Sequence, residues 1–194
     1  MMPFNRSAAP QILKDNYKRL GKRWEKRKKA NPKAQFDWTT GVYDVVLTQL
    51  LNDSHNHCAF CDQRPLRQSG ATIEHFKPKS VHFLLAYFWY NLFPCCTNCQ
   101  KKGELFSKLL LKPDVEGFTF DDYFIYNYST GELEPNPSVT AQNQQRATVT
   151  RELYRLNDFE IPEERQRVME SYLEQKAKGV ILNKNDFSFR FMLP

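Results

Sequence analysis

No stretch of the 194-residue chain approaches about 18 consecutive apolar residues, so no transmembrane span and no membrane partner are expected. The opening MMPFNRSAAPQ lacks the apolar run of a secretory signal, and a cytoplasmic address is the expectation. There is no internal repeat and no low-complexity tract. Helical and strand patterns do not alternate in a βαβ rhythm, so the class expected is α+β, with short strands and no large parallel sheet. In a reducing cytosol the five cysteines are not expected to form disulfides.

What is present argues for a packed protein. Hydrophobic residues make up 41% of the chain and aromatic residues 14%, well above the range of disordered segments. The length suits one domain with a real core, or a small core with two appendages. The formal net charge of +6 is unevenly spread: residues 13–33 hold ten Lys/Arg and two acidic residues, leaving 18 basic against 20 acidic residues elsewhere. Such a basic arm suits a phosphate backbone or serves as a solvated helix face, and composition alone does not choose between them.

Three sections follow from the patterns. Residues 1–51 form a basic helical region, in which Leu13, Tyr17, Leu20 and Trp24 recur at spacings of 4, 3 and 4 on one helix face. Asn31-Pro32 ends that helix, and Val42 to Leu51 reads as a second, shorter one. Residues 52–112 carry the cysteines, all four histidines and the aromatic run HFLLAYFWYNLF, whose rings read as core. Residues 113–194 open with the alternating FTFDDYFIYNYSTGELEP, where Thr130-Gly131 marks a hairpin turn. Helices are expected near 139–156 and 162–177, the latter with Pro162 in its first turn. Phe187, Phe189 and Phe191 alternate like a final strand or a packing segment.

The chemistry concentrates in the middle section. Cys58-Ala59-Phe60-Cys61 and Cys96-Thr97-Asn98-Cys99 each offer two thiolates from one tight turn, together a tetrahedral set for structural Zn²⁺. Cys95 breaks the spacing and reads as a buried thiol; His55 and His57 are not needed as ligands. Four thiolates leave no open coordination position, so reaction chemistry belongs elsewhere. Between the pairs lie Glu74, His75 and Asn91. An imidazole titrating near neutrality is a natural general base.

The order C-x-x-C, Glu74-His75, Asn91-Leu92, C-x-x-C and an amide residue resembles the HNH endonucleases of the ββα-metal superfamily. More narrowly, IEHFKPKS, LAYFWYNLFPCCTNC and QKKGELF resemble the PtuB family, the HNH nuclease subunit of Septu and retron anti-phage systems. The likeness is sharpest between 58 and 103 and extends less sharply to about residue 170. It implies a small zinc-stabilised ββα-metal nuclease core carrying a helical N-terminal and an α/β C-terminal extension. It implies His75 as general base on a strand facing the scissile phosphate, Glu74 as a ligand of catalytic Mg²⁺ (or Mn²⁺), and Asn91 as a brace.

Gln100 stands where the family has Asn or His as a further metal ligand. It is one methylene longer than Asn, as Glu74 is longer than the commoner Asp. Lys77 and Lys102 are candidate phosphate contacts, with Lys101 and Lys102 expected to open the helix of the ββα unit. The implied partners are a nucleic acid substrate, a PtuA-like ATPase subunit, and a retron reverse transcriptase with its RNA–DNA hybrid. DNA is the default substrate. RNA cleaved by the same site, or a non-catalytic zinc module that binds nucleic acid, are the alternatives.

Overall fold

The 4-3-4 spacing becomes helix α1, Gln11–Ala30, which buries Leu13, Leu20 and Trp24 and turns its lysines and arginines outward. The computed structural model describes residues 1–64, 70–158 and 160–194. Helix α1 ends at Asn31, whose backbone is extended ahead of Pro32. Its inner face lies against the 3₁₀ turn Phe83–Leu85, and Gly21 makes the approach possible: a Cβ there would sit 2.9 Å from Leu84 Cα. Helix α2, Val42–Asp53, buries Val42, Val46, Leu50 and Leu51.

The middle section contributes two short strands and one turn of helix. Strand β1, Thr72–His75, pairs antiparallel with β2, Leu92–Cys95, in the register Thr72 to Cys95 and His75 to Leu92. Helix α3, Thr97–Gln100, follows at once, with the Cys96 sulfur accepting from the Cys99 N–H at 3.4 Å as its cap. The order is therefore strand, strand, helix. No helix opens at Lys101 or Lys102, as had been expected: α3 begins at Thr97, where the cysteine turn supplies the cap, and stops after one turn.

The expected hairpin is present as β3, Phe124–Tyr126, paired with β4, Leu133–Pro135. Asn127 accepts from the N–H groups of Ser129 and Thr130 in its turn, and Gly131 supplies the positive φ of 76°. Helices α4, Ala141–Leu153, and α5, Ile161–Ala177, stand where the helical patterns lay, with Thr140 capping the first and Pro162 in the first turn of the second. The three terminal phenylalanines form no strand. They lie in a packing segment with single 3₁₀ turns at Lys184–Asp186 and Arg190–Met192, because Phe189 takes a left-handed φ of 59° that breaks an extended run.

Residues from all three sections share one buried cluster, among them Leu13, Leu50, Phe60, Phe93, Leu111, Phe124 and Tyr154. Of the aromatic run, Tyr87 and Trp89 are buried, whereas Tyr90 is 51% exposed and is not core. The tail is tied to the first cysteine turn by Asp62, which grips the Arg190 guanidinium through both carboxylate oxygens at 2.6 and 3.1 Å. No helix among the described residues is long and apolar enough to cross a membrane.

Candidate functional site

The turn after α2 and the cap of α3 bring the two cysteine pairs together. The sulfurs of Cys58, Cys61, Cys96 and Cys99 all lie within 4.8 Å of one another and are buried. A tetrahedral zinc with bonds of ~2.3 Å spaces its sulfurs by about 3.8 Å, and Cys61 and Cys96 already stand 3.6 Å apart. The residues fit a metal ion such as zinc. Burial pushes the Cys58 thiol up, but hydrogen bonds from the other sulfurs outweigh it and bring it well below its ordinary value, while the same contacts hold Cys61 and Cys99 well above theirs. Cys95 stays outside the set, with its S–H on the Cys96 carbonyl at 3.4 Å. His57 is buried, its Nδ1 2.8 Å from His55 O and its Nε2 2.9 Å from Phe187 O; His55 is exposed, and neither ring joins the sulfurs.

Beside this knot, β1 alternates its side chains between two environments. Glu74 faces α3. Its carboxylate receives the Lys102 ammonium at 2.7 Å on Oε1 and the Gln100 amide N–H at 2.8 Å on Oε2. The approach of Lys102 is that of an ion pair more than of an aligned hydrogen bond, since Oε1 has no well-directed donor. Gln100 Oε1 in turn accepts from the Thr72 hydroxyl. Burial raises the Glu74 carboxyl above its usual range, and the lowering by Lys102 only partly offsets this. Lys102 is 1% exposed, so it is not the phosphate contact expected of it; a buried carboxylate claims the ammonium instead.

Mg²⁺ does not fit this arrangement. Magnesium keeps several of its waters, yet Glu74 is 1% exposed and both its oxygens are taken by an ammonium and an amide. Gln100 meets Glu74 directly through its amide nitrogen, where the resemblance implied an amide oxygen on a shared metal.

His75 faces the other way, into aromatic rings. Trp38 stacks on the imidazole at 5.6 Å and 26°, and Phe36 meets it edge-on at 5.3 Å. The ring is 4% exposed and does not face an open groove, contrary to expectation; the segment between α1 and α2 has folded over it. Its Nε2 lies 2.9 Å from Ala86 O. A carbonyl only accepts, so Nε2 carries the proton and Nδ1 is left as the basic nitrogen. Burial first, then the ammonium groups of Lys79 and Lys102, lower the His75 pKa to about 3. Lys79 and Lys102 also act on Glu74, so the two residues share one electrostatic neighbourhood.

Asn91 is buried in the turn just before β2 and braces the loop after His75. Its Oδ1 accepts the Lys77 N–H at 2.8 Å, and its Nδ2 donates to Lys77 O and Leu85 O at 3.0 and 3.1 Å. The Lys77 side chain is exposed and free to meet a phosphate. Sequence reasoning missed Thr72, the pairing of Lys102, and the rings of Phe36 and Trp38. The only sign of the last two was a pair of alternating aromatics in a segment without periodicity.

The pKa of His75 has a measurable consequence. Its folded-state value lies below the ordinary 6.5, so the neutral ring stabilises the fold above pH 6.5, and that stability is lost as pH falls toward 3. Between pH 6.5 and 4.5 the loss due to this residue is about 2–3 kcal/mol. Urea unfolding of His75→Phe should show a flatter acid limb than the parent; an identical limb would remove His75 from the account.

No family model matches the chain, and no curated protein matches it.

Proposed function

We propose that the chain is a metal-dependent HNH-type endonuclease, held closed in the arrangement described, and the effector subunit of an anti-phage complex with an ATPase. The observation that supports this most is the meeting of Glu74 and Gln100, 26 residues apart, on a strand–strand–helix unit gathered around four cysteine sulfurs. Asn91 braces the loop that follows His75, as the motif implies, and Ala86 O fixes the imidazole tautomer that leaves Nδ1 able to take a proton from water. A base with a pKa near 3 is too weak to act at neutral pH. Activity therefore requires the aromatic cover over His75 to open and Lys102 to withdraw from Glu74. A nuclease restrained in this way does not harm its host until its partners release it. DNA is the default substrate, with structured RNA as the alternative; the retron hybrid and reverse transcriptase are candidate members of the complex.

A second reading, a non-catalytic zinc module that binds nucleic acid, is favoured by one specific fact: His75 is caged. The two separate cleanly. The complex with its ATPase is assayed on plasmid, single-stranded DNA and total tRNA, with chelator controls, alongside His75→Ala whose zinc content is verified. The nuclease reading expects cleavage with the parent and none with the variant at equal zinc. Equal cleavage by both, or none by the parent on any substrate, overturns it.

A further inference from the structure

A cavity of about 240 Å³ opens between the basic helix α1 and the segment that covers His75. Arg23 and Arg27 stand at it, and the rings of Trp24, Phe36, Trp38 and Tyr87 wall it. Three of these rings are fixed from behind. Trp24 donates its indole N–H to Lys79 O at 2.8 Å, Trp38 is stacked on His75, and Tyr87 meets Trp38 edge-on at 5.3 Å. Cations already sit against the walls: Arg27 over Trp24 at 5.1 Å, Lys28 near the same ring at 5.8 Å, and Lys79 over Phe36 at 5.3 Å. The one acid lining the cavity, Asp37, is paired with Arg27 at 3.0 Å, but both side chains are largely exposed and the pair is weak. Arg23 is exposed and engages no acid among the described residues.

We propose that this cavity is a binding site for one nucleotide of a single-stranded nucleic acid, its base against the half-buried rings of Phe36 and Trp38, which the buried Trp24 and Tyr87 support, and its phosphates on Arg23 and Arg27. Pre-set rings beside cations are the combination that holds unpaired bases without regard to sequence, because every base has a π face. In a duplex those faces are stacked on each other and unavailable. The site lies directly outside the Trp38 and Phe36 rings that cover His75, so a strand held there sits where the cover must move. The inference rests on the nuclease reading only in expecting that the bound strand is also the one cut. It specifies the strand form of the substrate and gives the basic face of α1 a task.

The test uses the full zinc-loaded chain without added divalent ions, so that nothing is cut. Fluorescein-labelled oligo-dT, oligo-U and a duplex of equal length are titrated, reading both anisotropy and tryptophan emission. Two of the three tryptophans, Trp24 and Trp38, line the cavity, while Trp89 does not. Single strands are expected to bind and quench, and Trp89→Phe should keep the quenching. The oligo-dT and oligo-U arms distinguish DNA from RNA as the source. The double variant Arg23→Glu, Arg27→Glu should weaken binding about tenfold or more and reduce the salt slope by about 1.4, two single-strand phosphate contacts. Binding of duplex as tight as of single strand, or of the double variant as tight as of the parent at equal zinc, overturns the proposal. Failure here is distinguishable from failure of the nuclease reading. Unimpaired cleavage by the double variant sinks the cavity and leaves the nuclease; binding without cleavage by any assembly does the reverse.

Discussion

If the four sulfurs hold zinc, Cys96→Ser is expected to lose it and most of the fold with it. Cys96 is one of four sulfurs in a single buried cluster, it caps α3, and it directly follows β2. Losing a thiolate forfeits much of a metal-binding energy on the order of 10 kcal/mol, against a total stability of about 5–15 kcal/mol for a domain. The melting temperature should fall by about 15 °C or more, or the cooperative transition should vanish. The neighbouring Cys95→Ala is the control. Cys95 is as buried but lies outside the cluster, so it should keep one equivalent of zinc and cost only about 1–2 kcal/mol, as a small packing defect does. Atomic absorption and circular dichroism melts read both quantities. If Cys96→Ser keeps its zinc and its melting point, or if Cys95→Ala loses the metal, the assignment of ligands is wrong.

The same contrast explains which features were legible before the structure. The C-x-x-C spacing, the 4-3-4 helix face and the Thr130-Gly131 turn are local: a few residues along the chain determine each geometry. That Glu74 and Gln100 belong to one neighbourhood was legible because a motif tied them together, but their direct amide–carboxylate contact was not. What escaped was long-range and not periodic. Lys102 read as a surface lysine, and nothing in the pattern tells a lysine to turn inward; only the closing of α3 on β1 puts a carboxylate 2.7 Å from its ammonium. Phe36 and Trp38 sit in an irregular segment with no partner nearby in sequence, so their packing on His75 could not be inferred. The terminal phenylalanines left a strand or a packing segment open, and a long-range contact decided for the packing segment: the N–H of Phe189 goes to Asp62 O at 2.9 Å instead of to a neighbouring strand.

The second large effect is expected from Lys102→Met. The ion pair with Glu74 is almost wholly removed from water, with side chains 0% and 2% exposed, so removing the ammonium strands a buried carboxylate. Breaking such a pair costs about 3–5 kcal/mol, and the sign of its pH dependence is fixed. Burial already holds the Glu74 carboxyl above its ordinary value, and Lys102 is the main influence lowering it. Without that influence the folded-state value climbs further. A raised value means that the folded state holds the proton more tightly than the unfolded chain. The contribution of Glu74 is therefore full at a pH below the ordinary carboxylate range and lost as pH rises through the raised value. The variant should be closest to the parent near pH 4.5 and fall behind it steadily toward pH 8. Adding Glu74→Gln removes the charge that has lost its partner, so the double variant should recover most of the loss at pH 8 and show little of the pH dependence. Urea titrations of the parent, both singles and the double variant at three pH values complete the cycle. A Lys102→Met penalty that does not change with pH, or a double variant no better than the single, would mean that the ammonium matters for packing and not for the charge it neutralises.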